Sequence, residues 1–461
     1  MSLRAAIALL LLVVGPAANA ATPASGTVTV ARDRDEWTAD YLLTSDSPVW
    51  LFAKSVIPRE SHRSWREGTV RVLTPGVSLQ RLGHYDALVA ARGNVPRHVR
   101  LSFTPFFKDI EAGYDAAIAL GNDSVALYAD GFRLVPSASL AAARSAPKDD
   151  SLIPAADAPM RLVFRDKAGP VLAQGKRVAE AAFDDGAAYV IFGKAEPAIG
   201  PAVTTIIHPE TPTWIADYLK RGIPQIIASF KRSLGPAPVE QPTLLVSWLG
   251  ATKGVTSLGG SVLPGMVLLV MEGEGITAPN PAISNYARWF AAHESAHFWL
   301  GQAVAYSSPS ESWITEGGAD LLAFRATAAA DAAFDISKRL SEARAECEPF
   351  LKEGGVAGAF EREGHHRAFY ACGALIALAA EKASSGNFGD FVRALIGRHR
   401  EKGIVTRADW LALLEERAPG RGYGAAVADL LDNKQADPTA AIDHYIAAVG
   451  IADQFVSKSV T

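Results

Sequence analysis

Cysteine is scarce, with two residues, Cys347 and Cys372, in a chain of 461. Neither has the spacing of a metal ligand, so a thiolate metal centre is not expected. In an oxidising compartment the two are expected either to close as one disulfide or to stay as buried thiols, since their separation is not written in the sequence. Charge of either sign is not in excess either. Forty-five Lys and Arg against 49 Asp and Glu leave a formal net charge of -4, which offers no basic surface for nucleic acid and no acidic tail. Beyond the N-terminus no apolar stretch is long enough to cross a bilayer, and no repeat of fixed period runs through the chain. The Gly-rich Ser257-Leu258-Gly259-Gly260-Ser261 lacks the Lys and the helix context of a phosphate loop and reads as a turn. The composition that is left, 49% hydrophobic and 20% charged, is that of a globular protein whose length suggests two or three domains.

The first residues, MSLRAAIALLLLVVGPAANAATPASG, place Arg4 before an apolar core, Ala5 to Val14, and a small-residue site, Ala18-Asn19-Ala20. This predicts a secretory signal peptide over residues 1–20, too short to span a bilayer comfortably. No Cys follows the cleavage site, so a lipid anchor is not suggested. The mature chain is expected to be exported, periplasmic or secreted, without stable membrane insertion after cleavage.

Along the chain, residues 21–203 alternate short Val-, Leu-, Phe- and Tyr-rich runs with Gly, Pro, Asp and Ser clusters, as in GTVTVARD, VWLFAKSVIP and MRLVFRDKAGPVLAQG. The period near two and the regular spacing predict an N-terminal all-β domain, an antiparallel sandwich or similar. Leu140 to Arg144 fits either a short helix or a loop, and Glu196 to Pro201 has the composition of a linker. Residues 204–335 read as a mixed α+β catalytic subdomain. A helix starts near Thr211 or Thr213, either of which could cap it, the strand PTLLVSWLG follows, and Met266 to Met271 forms a further strand. Residues 336–461 read as a helical C-terminal subdomain, with Thr406 and Asp409 set for a capping box.

The chemistry concentrates in AAHESAHFWLGQAVAYSSPSESWITEGGADLLAFR, residues 291–325. His293-Glu294-Ser295-Ala296-His297 is H-E-x-x-H. Four residues along a helix amount to a rotation of about 40°, so both imidazoles leave one face and can share a metal ion. Zinc suits them because it takes nitrogen and oxygen ligands tetrahedrally and can keep one position for water. Eighteen residues separate His297 from Glu316, a third ligand on a second helical pattern. Asp320, one turn beyond Glu316, is placed to accept the N–H of a ligand histidine. Glu294 can take a proton from a metal-bound water. The expected cofactor is one Zn2+ per chain.

HESAHFWLGQ followed by WITEGGAD resembles the HExxH-x18-E signature of the aminopeptidase N family of gluzincin zinc metallopeptidases, including Trp299, Gly301 and the W-x-x-E-G frame at Trp313, Glu316 and Gly317. The step from Glu316 to Asp320 is similar to the thermolysin-type arrangement. The resemblance implies a thermolysin-like catalytic core, a peptide or protein substrate and a catalytic tyrosine. Tyr370-Ala371-Cys372-Gly373-Ala374 matches the family's Y-x-K-G-A context except that Cys372 stands for Lys. Tyr370 would then stabilise the oxyanion of the tetrahedral intermediate.

One family element departs. The G-x-M-E-N motif, whose Glu binds a substrate's free α-amine, is represented only by Met271-Glu272, with Gly273 in place of Asn. Glu272 or Glu274 could hold an amine. Alternatively, Met266 to Met271 is an edge strand to which an extended peptide adds by main-chain hydrogen bonds, with both glutamates in its solvated turn. Aminopeptidase action, endopeptidase or other amide hydrolysis, and non-catalytic peptide binding are therefore all open readings. His365 and His366, ahead of Tyr370, fit a solvated helix start better than a cleft.

Overall fold

The computed structural model describes residues 25–456 except 59, 60, 62, 108, 109, 111–113, 155–157, 185 and 363. The expected signal peptide lies outside the described residues. Among those described, no helix is long and apolar enough to cross a membrane.

The N-terminal part is β-rich, with sheets of six, four and five strands. The alternation in its sequence becomes alternation in burial. Along Gly26–Asp33 every second residue is buried, which places Val28 and Val30 in the core. Trp37, Tyr41, Phe164 and Phe192 from neighbouring strands fill the same core. Two features depart from an antiparallel all-β expectation. Gly26–Asp33 pairs antiparallel with Glu36–Leu43 on one side but parallel with Met160–Asp166 on the other, because the chain returns to it only after a long crossover. Short helices also occur at Trp65–Thr69 and Leu140–Arg144, capped by the hydroxyls of Ser64 and Ser139.

The segment read as a linker is built into the next sheet. Ala198–Ile199 pairs with Thr204–Ile207, starting a five-stranded sheet that continues through Thr243–Trp248 and Met266–Glu272 to Ser257–Leu263. The three central strands run parallel, and the last is the antiparallel arm of a hairpin. Met266–Glu272 is therefore an inner strand, paired on both sides, and Ser257–Leu263, which contains the Ser257 to Ser261 stretch expected to be a turn, is the edge strand. The swap has a local cause: Pro264-Gly265 makes a two-residue turn, with Gly265 at φ +67°, which folds the Gly-rich segment back along its apolar partner.

Thr213–Leu234 packs on this sheet through Ile215, Leu219, Ile223, Ile227 and Phe230. Neither Thr211 nor Thr213 caps this helix. Pro212 occupies the N-cap, and its carbonyl accepts from Ile215 and Ala216. The remaining chain is mainly helical. Three of its helices frame the site: a histidine helix, Pro281–Ala296; a glutamate helix, Trp313–Ala330; and a tyrosine helix, Arg367–Ala383. The last two touch backbone to backbone, since a Cβ on Gly317 would collide with the Gly373 main chain. Cys347 and Cys372 are disulfide-bonded, tying the tyrosine helix to the preceding helix, Ile336–Glu353. Farther on, Thr406 and Asp409 form the expected capping box.

Candidate active site

The histidine helix opens on an Asn280 cap with Pro281 at its first position. It ends at Ala296, and His297 is its C-cap. The chain turns sharply there because Trp299 is fully buried, packs edge-on against Phe230 and donates its indole N–H to the Gly235 carbonyl at 2.9 Å. That turn returns the Leu300 carbonyl to within 2.8 Å of His297 Nδ1. His293 Nδ1 lies 2.8 Å from Asp320 Oδ1 on the glutamate helix. Glu316 stands in the first turn of that helix, one turn ahead of Asp320 on the same face.

These contacts settle the imidazole tautomers. Each Nδ1 faces an oxygen acceptor, so a neutral ring carries its proton on Nδ1 and presents Nε2 as the atom that can ligate. The two Nε2 atoms are 3.1 Å apart, and each is 3.3 Å from Glu316 Oε2. That oxygen is buried without a hydrogen-bond donor. Three acceptors converging in a buried site repel one another unless a cation sits among them. Tetrahedral zinc, with bonds of about 2.0–2.1 Å, separates its ligand atoms by about 3.3 Å. The observed spacings fit it, and His293, His297 and Glu316 form the metal-competent group among the described residues.

The electrostatics show the same demand for positive charge, which a proton on an imidazole can also meet. Burial alone would depress His293, but Asp320, with Glu316 and Glu294, outweighs it and pushes the ring up to about 10. His297 is raised against burial as well, chiefly by Glu316. Glu316 is held far below the usual carboxylate range, despite burial, by the facing His297 and His293. The cluster thus favours positive charge among its ligands.

Glu294 is buried next to both ligand histidines. Its carboxyl is raised by burial, an effect that His293 and His297 oppose. Tyr370 stacks on the His293 ring with centroids 5.6 Å apart and planes 20° apart. Burial raises its hydroxyl strongly, with further contributions from Glu316 and Glu294. Arg367 lies over the Tyr370 ring at 4.9 Å and is held by two hydrogen bonds to Glu346.

His293, Glu294, His297, Glu316, Asp320 and Tyr370 are thus brought together. Glu272, Glu274 and Met266 are placed differently. Glu272 accepts from Thr252 Oγ1 at 2.5 Å and Glu274 from the Gly254 N–H at 3.0 Å, so both carboxylates hold the preceding loop. Met266 is buried beside the hairpin turn. His365 pairs with Glu353 at 3.1 Å and receives the Arg362 Nε–H, which makes it part of a helix junction. Sequence reasoning missed the Leu300 carbonyl, because any residue offers one and no side-chain type marks it. It also missed Tyr114 of the β-rich part, whose hydroxyl donates to the Val262 carbonyl at 2.9 Å and feels the charge of Glu294.

No family profile and no curated protein matches the chain by sequence. Solved structures do match it in fold. An aminopeptidase N family protein from Idiomarina loihiensis superposes with a TM-score of 0.62 at 13% identity, over 91% of this chain and 78% of that one. An M1 zinc metallopeptidase from Deinococcus radiodurans gives 0.51 at 14%, over 90% and 94%. A mutant of that metallopeptidase bound to a Tyr-Ser-Ala substrate gives 0.51 at 14%, again over 90% and 94%. At these identities the likeness concerns the fold: the chain has the multidomain architecture of aminopeptidase N-type zinc metallopeptidases, with a β-rich N-terminal part and a helical C-terminal part.

Proposed function

We propose that this protein is an exported zinc-dependent metallopeptidase that hydrolyses peptide bonds. The observation that carries the reading is the convergence of both histidine Nε2 atoms and the Glu316 Oε2, at spacings that suit tetrahedral zinc. His293 and His297 would hold the ion through Nε2 and Glu316 through Oε2. When bound, zinc would supply Lewis acidity and bring the pKa of a bound water toward neutrality. Asp320 and the Leu300 carbonyl keep both imidazoles in the ligating tautomer by accepting from Nδ1–H.

The chain's own groups then divide the proton work. Glu294 takes the proton of the attacking water on a carboxylate oxygen and passes it to the departing amine nitrogen. Burial supports this by raising its carboxyl from the ordinary value toward neutrality. Tyr370 donates its hydroxyl hydrogen to the oxyanion. Burial and the nearby carboxylates keep that proton in place through neutral pH. A substrate backbone has a strand to join at Ser257–Leu263, whose outer edge has no strand partner among the described residues.

Glu294→Gln tests the reading. The variant is expected to lose about 10²–10⁴-fold in peptide hydrolysis while still binding one zinc per chain, whereas His297→Ala should lose the zinc itself. Equal hydrolysis by Glu294→Gln and parent, or undiminished zinc in His297→Ala, would sink it.

A further inference from the structure

The hairpin beside the histidine helix offers a backbone track, and a residue from the other domain closes its end. Leu263 and Met266 flank the two-residue Pro264-Gly265 turn and so form the hydrogen-bonded pair that closes the hairpin. Pairing alternates along an antiparallel ladder, so the next residue, Val262, turns its N–H and C=O away from the inner strand, as do Gly260 and Leu258. The Val262 carbonyl is already taken on that outer side by the Tyr114 hydroxyl at 2.9 Å, across 148 residues of chain. Beyond Val262 the chain enters the turn, which Gln302 braces by donating to the Leu263 carbonyl at 2.8 Å and accepting from the Gly265 N–H at 3.3 Å.

We infer that Tyr114 is a specificity-determining residue that ends the track along which a peptide backbone can pair with the edge strand, limiting how many substrate residues extend past the scissile bond on that side. The inference rests on the peptidase reading above. Tyr114 stands close enough to the catalytic centre for Glu294 to act on its hydroxyl, which burial and then that carboxylate raise. Gly260, in the middle of the track, lies against Phe290, three residues before His293. Behind Tyr114, whose ring centroid is 5.0 Å from that of Tyr128, lies a cavity of about 530 Å³ in the β-rich domain, lined also by Trp65, Arg81, Tyr85 and Lys148. A small side chain at position 114 would open the cleft into that space.

Two series of peptides built around one cleavable bond test this on the zinc-loaded full chain, one lengthened by single residues on the N-terminal side and the other on the C-terminal side. The parent should show a fall of about tenfold or more in kcat/KM once one series outgrows the track. Tyr114→Ala should abolish that fall and leave the other series unchanged, and Tyr114→Phe, which frees the carbonyl but keeps the ring, should fall in between. Because each profile is a ratio across lengths, a smaller folded fraction cancels. Length profiles of Tyr114→Ala that match the parent in both series would overturn the inference while leaving the peptidase reading intact. If no peptide is hydrolysed, binding of the same fluorescently labelled peptides reads the track directly. A length limit relieved by Tyr114→Ala would then uphold the stop without the hydrolysis, and indifference to length would overturn it.

Discussion

Two buried polar clusters in this molecule follow opposite rules. In the β-rich domain Arg66 and Asp86, 1% and 2% exposed, pair at 2.9 Å, and further hydrogen bonds surround both. Arg66 also donates to the Lys54 and Gly131 carbonyls, while Asp86 receives from Ser64, Arg81 and Arg66. In the candidate site the Nδ1 atoms face Asp320 and the Leu300 carbonyl on the outside of the cluster, while both Nε2 atoms and the Glu316 Oε2 converge within 3.1–3.3 Å. The first cluster is complete as a protein structure. The second has the geometry of a group that could hold a metal ion. A saturated buried charge network holds a fold together, whereas converging lone pairs identify a site.

The contrast can be broken from either side. The largest effect expected is that of Glu294→Gln on hydrolysis, with denaturant midpoint unchanged. Next, Arg66→Met should leave Asp86 buried with only the partly exposed Arg81 as a charged partner and cost about 3 kcal/mol of stability by urea unfolding. Converting both partners, Arg66→Met with Asp86→Leu, should recover much of that loss, because no unpaired charge is left behind. Tyr370→Phe should lower kcat by about 10²–10³-fold, as loss of an oxyanion donor does, with zinc content unaltered. Asp320→Asn should weaken zinc binding by about 10–100-fold in a chelator competition. The smallest effect is a pH shift. Glu294 acts as a base only when deprotonated and burial raises it, so the acid limb of kcat/KM should lie above the ordinary glutamate value. Tyr370, raised strongly, should add no alkaline limb near pH 10. An acid limb at or below the ordinary glutamate value would show that burial does not govern the base.

Much of the site was legible because its logic is local. H-E-x-x-H places His293 and His297 on one helix face whatever surrounds the helix, and the four-residue step from Glu316 to Asp320 does the same on the next. The strand order was not legible. Met266–Glu272 and Ser257–Leu263 differ in apolarity, which reports burial, but neither carries a mark saying which lies outermost in the sheet. Glu196 to Pro201 looks like a linker because its composition suits one, yet a two-residue pairing with Thr204–Ile207 absorbs it. The cysteine pair stayed open for a similar reason. Closure depends on two helices bringing Cys347 and Cys372 to a Cα separation of 5.0 Å, and a gap of 25 residues does not state that.

Residue order alone decided that His293 and His297 stand one helical turn apart with Glu294 beside them, and the alternation that builds the β-rich part, since each follows from the period of a single element. The folded chain alone decided that the imidazoles present Nε2 inward, because that requires Asp320 from another helix and a carbonyl returned by the turn after Trp299. It alone decided that the free backbone edge beside the site belongs to Ser257–Leu263 and that Tyr114 stands at its end. Tautomer, strand order and cross-domain contact are relations between elements distant in sequence, and packing sets them, not local periodicity.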